Sequence, residues 1–181
     1  MKEIQTCVKE KIISNDEILD LVSSGDEVIG REKRSIIRTK KLSNFRVINC
    51  FICNSKKQLW IPRRHPNKEL FPLHLDASVG GHVSTNESYQ EALIRETREE
   101  LNLEISQQSF STIARLTPHT HGTSAFMWVY IIKSDVVPNY NTNDFVEYFW
   151  LSPEEFFTKI SQGDKAKSDL FPIMHEIKNK L

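Results

Sequence analysis

Runs of β-branched and aromatic residues alternate with polar turns along most of the chain, while one stretch repeats its apolar residues at helical spacing. DEILDLVSSGDEVIG, residues 16–30, predicts two short strands around a Ser-Ser-Gly-Asp turn. REKRSIIRTKKL, with Ile36, Ile37 and Leu42 among basic residues, reads as a short helix or irregular cover. FRVINCFICN predicts a buried strand, with KKQLWIPRR as its partner after an Asn54-Ser55 turn. HPNKELFPLHLDASVGG is loop-like, broken by Pro66 and Pro72 and closed by a glycine pair. Residues 87 to about 101 make the clearest helix, in which Tyr89, Leu93, Thr97 and Leu101 form one stripe suited to packing on a sheet. FSTIARL, SAFMWVYIIK and EYFWLS predict further strands, followed by helices from Pro153 and from about Pro172. Strands around a central helix, with more helices at the end, imply α/β (α+β) layering about one sheet.

Length and composition narrow this picture. The 181 residues suffice for one well-buried core, so residues 16–181 are expected to form a single domain behind a polar arm over residues 1–15. Hydrophobic content of 39% and charged content of 27% fit an ordinary globular chain. Twenty-four basic residues balance twenty-four acidic ones, so no global field favours a nucleic-acid polymer or an anionic membrane. No apolar run approaches the roughly 18 residues of a membrane span, and MKEIQTCVKEKII lacks the apolar stretch of a signal peptide. Three cysteines, an odd number, argue against a disulfide framework and make a reducing cytoplasm the expected location. Cys50 and Cys53 form a lone C-x-x-C within a strand, where residues three apart face opposite sides, so both are expected in the core. Trp60, Trp128 and Trp150 are read as core too. His119 and His121, between Pro118 and Gly122, are expected on a loop.

Chemistry concentrates in GGHVSTNESYQEALIRETREELNL, residues 80–103. Ser84-x-x-Glu87 has the form of a capping box and predicts the helix start. With each helical residue turning by about 100°, Glu96, Glu99 and Glu100 fall on one face, with Glu96 and Glu100 nearly stacked. Three carboxylates so close repel unless something offsets their charge. Arg95, Arg98 and solvent can do so, as on any solvated Glu-rich face; so can a divalent cation, since magnesium and manganese prefer hard oxygen ligands. The spacing to the upstream glycine favours the cation.

That spacing resembles the Nudix box. There, a glycine is followed after five residues by glutamate, and after seven more by Arg-Glu, an apolar residue, any residue, Glu-Glu, any residue, glycine and an apolar residue. This chain has Gly81, Glu87, Arg95, Glu96, Glu99, Glu100 and Leu103 at those positions, so the box covers residues 81–103. Two positions depart from it. Thr97 replaces an aliphatic residue on the packing stripe, and Asn102 replaces the glycine past the helix end, where asparagine tolerates a left-handed backbone. DEVIGREK, LWIPRRHPNKELFP and LDASVGGH are similar to the Nudix branch related to isopentenyl-diphosphate isomerase. The resemblance spans roughly residues 17–156. It implies a Nudix fold, a mixed β-sheet sandwiched between helices, with the box as loop-helix-loop.

The resemblance implies metal-dependent hydrolysis of a diphosphate linkage, in a nucleoside diphosphate derivative or a related organic diphosphate. Glu96, Glu99 and Glu100 would hold Mg2+ or Mn2+, with the Gly81 carbonyl and His82 as further ligands; the alternative for His82 is plain exposure. Glu147, in NTNDFVEYFWLSPEEF, would join the site or act as base, with Asp144 as the alternative. Arg63, Arg64 and Lys68 would contact the substrate's phosphates, and Glu87 with Arg95 would be structural. Two other readings stay open. Isopentenyl-diphosphate isomerisation is opposed by Gly80, which stands where the isomerases carry a catalytic cysteine. A non-catalytic diphosphate-binding module is opposed by the intact glutamates. The expected partner is a small-molecule diphosphate, and a homodimer is compatible with the sequence.

Overall fold

The structure is a computed structural model that describes residues 16–181. The arm expected over residues 1–15 lies outside the described residues. In chain order the elements are β1 (Ile18–Val22), β2 (Val28–Lys33), α1 (Arg34–Lys40), β3 (Arg46–Cys53), β4 (Leu59–Arg64), β5 (Val79–His82), α2 (Tyr89–Leu101), β6 (Phe110–Leu116), α3 (Pro118–His121), β7 (Phe126–Lys133), β8 (Phe145–Leu151), α4 (Pro153–Ser161) and α5 (Leu170–Ile177). No described helix is long and apolar enough to cross a membrane.

β1 and β2 form an antiparallel ribbon turning through Asp26, whose φ of 63° is left-handed. The main sheet runs β6-β7-β3-β4-β8, with β5 also paired to β3. β3 and β7 are parallel and the other pairs antiparallel, so the sheet is mixed, as the fold class required. Period-two alternation along β3 divides its side chains between two cores. Ile48, Cys50 and Ile52 join Trp60, Val79, Leu93 and Tyr130 under α2. Phe51 and Cys53 face the other way, with Leu59, Ile61, Phe156, Ile173 and Met174 under α4 and α5. Each large side chain so buried contributes about 1.5–3 kcal/mol. Cys50 and Cys53 thus point to opposite faces, as their spacing predicted.

Several boundaries differ from expectation. β4 meets β3 in register only at Cys53↔Leu59 and then diverges to pair along its whole length with β8. Its place beside β3 is taken by β5, in a segment that read as loop; Gly80 and Gly81 are extended and pair with Asn49 and Ile48. α2 begins at Tyr89 because Ser88 and Glu91 form its capping box. The earlier pair does something else: Glu87 accepts from the Ser84 N–H at 2.9 Å but gives its carboxylate to Arg95. α5 starts at Leu170, before Pro172. His119 and His121 lie on the single turn α3, capped by Thr117.

Candidate active site

α2 buries Tyr89, Ala92, Leu93, Thr97 and Leu101 against the sheet. Thr97 keeps that position because its hydroxyl donates to the Leu93 carbonyl at 2.7 Å, so that buried hydroxyl is not orphaned. Asn102 ends the helix at φ 49°, ψ 35°, the left-handed conformation its side chain tolerates. With that stripe fixed inward, Glu96 and Glu100 are turned toward β5.

At Gly80 and Gly81, β5 presents no side chain to α2, and the Glu96 and Glu100 side chains reach its backbone. A Cβ on Gly81 would stand 1.9 Å from Glu96 Oε1, so only glycine allows this approach. The Gly80 N–H donates to Glu100 at 3.1 Å. Burial pushes the Glu100 carboxyl well above its ordinary pKa, reinforced by the charges of Glu96, Asp76 and Asp144 and opposed by the Gly80 N–H. Burial likewise raises Glu96 to about 7, against the pull of Arg95. Glu99 is more open, 3.6 Å from Arg95.

Arg95 ties the loop to the helix. It donates to both oxygens of Glu87 at 2.9 Å, to the His82 carbonyl at 3.0 Å and to Glu96 at 2.7 Å. His82 follows on β5, its ring 3.5 Å from Glu17. Burial, helped by Arg34, Lys167 and Arg95, lowers its pKa to about 4, so the imidazole is neutral near pH 7. Gly81, His82, Glu87, Arg95, Glu96, Glu99 and Glu100 therefore share one neighbourhood. Among the described residues, no three His, Cys, Asp or Glu side chains converge into a ready-made cation cage, Glu96 being drawn to Arg95 instead.

The basic residues ahead of the box stand on β4 and the loop after it, each against a carboxylate. Arg63 donates to both Asp164 oxygens at 2.6 and 2.9 Å, to the Leu73 carbonyl at 3.0 Å, and to Glu147. Its fork is thus engaged by Asp164, Leu73 and Glu147 within the chain. Glu147 is half exposed and held by that fork. Of the two carboxylates considered in its segment, Asp144 is the one whose charge acts on Glu100. Lys68 pairs with Asp144, and Arg64 with Asp76 at 2.7 Å. Asp76, Asp144, Glu17, Asp164 and Lys167 complete the surroundings. Asp76 was the most findable of those not singled out: it is the lone charge in the run LDASVGG, a pattern that signals a buried, partnered carboxylate. Two clefts lie elsewhere. One of about 610 Å³ is lined by Cys53, Lys57 and Lys133, the other of about 310 Å³ by Asp26, Tyr89 and Trp128.

A mixed sheet between helices, with carboxylates of a central helix set against a glycine strand, is the architecture the sequence resemblance implied. Comparison with known proteins agrees. The family model for the NUDIX domain matches residues 44–172, and the chain belongs to the Nudix family. It is 50% identical over 158 residues to an uncharacterised Nudix hydrolase of Nostoc, covering 87% of this chain and 94% of that one. It superposes on the crystal structure of DR0079 from Deinococcus radiodurans with a TM-score of 0.81, at 45% identity, covering 88% of this chain and 98% of that one. A more distant relative is the isopentenyl-diphosphate Delta-isomerase of Kocuria rhizophila, 23% identical over 159 residues, covering 86% of this chain and 88% of that protein. That likeness accords with the branch the sequence suggested.

Proposed function

We propose that this protein is a divalent-metal-dependent hydrolase that cleaves the diphosphate linkage of a nucleoside diphosphate derivative or a related organic diphosphate. One observation supports this above the others: Glu96 and Glu100 crowd together, partly buried, against a glycine strand, Glu96 packed where a Gly81 Cβ would stand and Glu100 accepting from the Gly80 N–H. Burial holds both carboxyls above their ordinary pKa, a charge imbalance that a hard cation would relieve. The donor set is all oxygen apart from a neutral imidazole, which fits magnesium or manganese. Glu96, Glu99 and Glu100 would hold the ion, with the Gly81 carbonyl and His82 beside them. Once bound, the ion neutralises phosphate charge and lowers the pKa of water.

The chain's own residues supply position and charge. Arg95 and Glu87 fix the loop so that Gly81 stays against Glu96. Lys68 and Arg64 carry positive charge beside the carboxylates, for the substrate's phosphates. Asp144 or Glu147 would orient water; the Asp144 charge repels that of Glu100, while Glu147 is held by Arg63. Isomerisation has less support. Gly80 carries no thiol, and a Cβ there would already lie 3.3 Å from Asn49 Oδ1.

The test is phosphorus NMR of the protein with magnesium and a panel of diphosphates, each run beside Glu100→Gln. The panel holds nucleotide sugars, nucleoside triphosphates, dinucleoside polyphosphates and isopentenyl diphosphate. Loss of a diphosphate linkage with wild type alone is the expected result. Equal turnover by Glu100→Gln would remove the assigned site.

A further inference from the structure

Asp76 is 4% exposed, just ahead of β5. Its Oδ1 accepts from the Ala77 N–H at 2.8 Å and lies 3.1 Å from Lys167 Nζ, while its Oδ2 accepts from Arg64 at 2.7 Å. One negative charge therefore answers two cations. Arg64's second described contact, the Leu70 carbonyl at 3.1 Å, is neutral. Among the described residues Asp76 is the one carboxylate paired with Lys167, and an ammonium has three donors. The cluster keeps a surplus positive charge.

That surplus stands on the glycine strand. Lys167 Nζ lies 3.9 Å from where a Cβ of Gly80 would be, and the Gly80 N–H is the donor to Glu100. The residue arrives from far along the chain. Between α4 and α5, the backbone runs beside Leu75: Leu75 N–H donates to the Lys165 carbonyl at 2.8 Å, and Lys167 N–H to the Leu75 carbonyl at 3.0 Å. Asp164 pins the start of this strap to Arg63 and to Lys159, the latter at 3.1 Å. Arg64 and the Ala77 N–H already answer the Asp76 charge, so a second cation is not needed for that purpose.

We propose that Lys167 is a substrate-binding residue that grips a phosphate oxygen of the diphosphate, held at the glycine strand by Asp76 on a strap positioned by the Asp164–Arg63 pair. This rests on the hydrolase reading above.

The experiment uses the full chain with magnesium. It measures kcat and KM on the best-cleaved diphosphate, calorimetric binding of imidodiphosphate, and thermal unfolding, for wild type, Glu100→Gln, Lys167→Met, Lys167→Arg and Asp164→Asn. Loss of a charge-assisted hydrogen bond predicts that Lys167→Met raises KM and the imidodiphosphate Kd by about tenfold to a hundredfold. Its kcat should change far less and its Tm stay near wild type. Lys167→Arg should recover most of the affinity, and Asp164→Asn should raise KM in the same direction. A Lys167→Met protein with wild-type KM and Kd overturns the assignment. So does one whose affinity falls only in step with a lowered Tm and is not restored by arginine. If wild type cleaves, Glu100→Gln does not and Lys167→Met matches wild type, only the Lys167 assignment falls. If wild type neither cleaves the panel nor binds imidodiphosphate, both fall.

Discussion

Replacing Glu96 by Gln isolates the charge imbalance at the site. The Glu96 side chain is 14% exposed, and burial raises its pKa from 4.5 to about 7 despite Arg95 at 2.7 Å. Keeping it ionised above that value costs the folded state up to about 3 kcal/mol, at roughly 1.4 kcal/mol per tenfold change in proton affinity. Between these two pKa values the native state binds more protons than the unfolded one. The Glu96 contribution to stability is therefore fully present below about pH 4.5 and lost as the pH rises through about 7. His82 runs the other way: burial drops it from 6.5 to about 4, so its contribution grows with pH across that interval. The two trends oppose each other in wild type, which makes the difference between wild type and variant the informative quantity. Removing Glu96 also eases Glu100, with the same sign. Losing the Arg95 contact penalises the variant by an amount nearly independent of pH, since Arg95 retains Glu87. Urea unfolding in chelator should show Glu96→Gln gaining about 2–3 kcal/mol on wild type between about pH 5 and pH 8. Saturating magnesium at the upper pH should stabilise wild type more than the variant. A wild-type-minus-variant difference that stays flat with pH would refute the reasoning.

Three other outcomes follow from the same geometry. Gly81→Ala drives its methyl group into Glu96; the carboxylate is the flexible partner and moves, so stability should fall by only about 1–2 kcal/mol while kcat falls at least about a hundredfold. Steady-state kinetics beside thermal unfolding separates the two effects. Arg95→Lys cannot reproduce a fork that reaches Glu87, Glu96 and the His82 carbonyl together, and denaturant unfolding should show a loss of about 3–5 kcal/mol. Asp164→Asn removes a carboxyl that hydrogen bonds from Arg63 hold far below the usual range. That stabilisation is present above the unfolded pKa of about 3.9 and lost on acidification, so the variant's deficit at pH 7 should shrink as the pH falls below about 4.

The features legible in the sequence belong to single elements. β6 runs over FSTIARL as its apolar pattern predicts, and the stripe from Tyr89 to Leu101 is buried as its spacing requires. Asn102 takes the left-handed conformation expected of it. The start of α2 was harder because two capping boxes stand in tandem, Ser84 with Glu87 and Ser88 with Glu91. Local rules rate them alike. In the first, the Ser84 hydroxyl goes to Glu17 and Glu87 is shared with Arg95, eight residues on, which no cap rule can foresee. β5 escaped detection because a glycine pair has no side chains with which to display a two-residue period.

The same distinction divides the site. Spacing along one helix fixes Glu96, Glu99 and Glu100 on one face, because a helix converts sequence interval directly into angle. The charges around them come from other elements: Asp76 ahead of β5 and Asp144 from a loop add to the negative charge, while Lys68 from another loop and Lys167 from beyond α4 pair with those two carboxylates. No local period relates these positions, and only the closing of the sheet brings them together. Arg63 illustrates the consequence. Its place beside Arg64 suggested a shared task, yet neighbours on a strand point to opposite faces. Arg64 turns to Asp76 and the Leu70 carbonyl, and Arg63 to Asp164 on the strap. A basic pair on a strand is thus two residues with two environments. Which of them can meet a phosphate is decided by the carboxylates across the sheet, not by the residue types themselves.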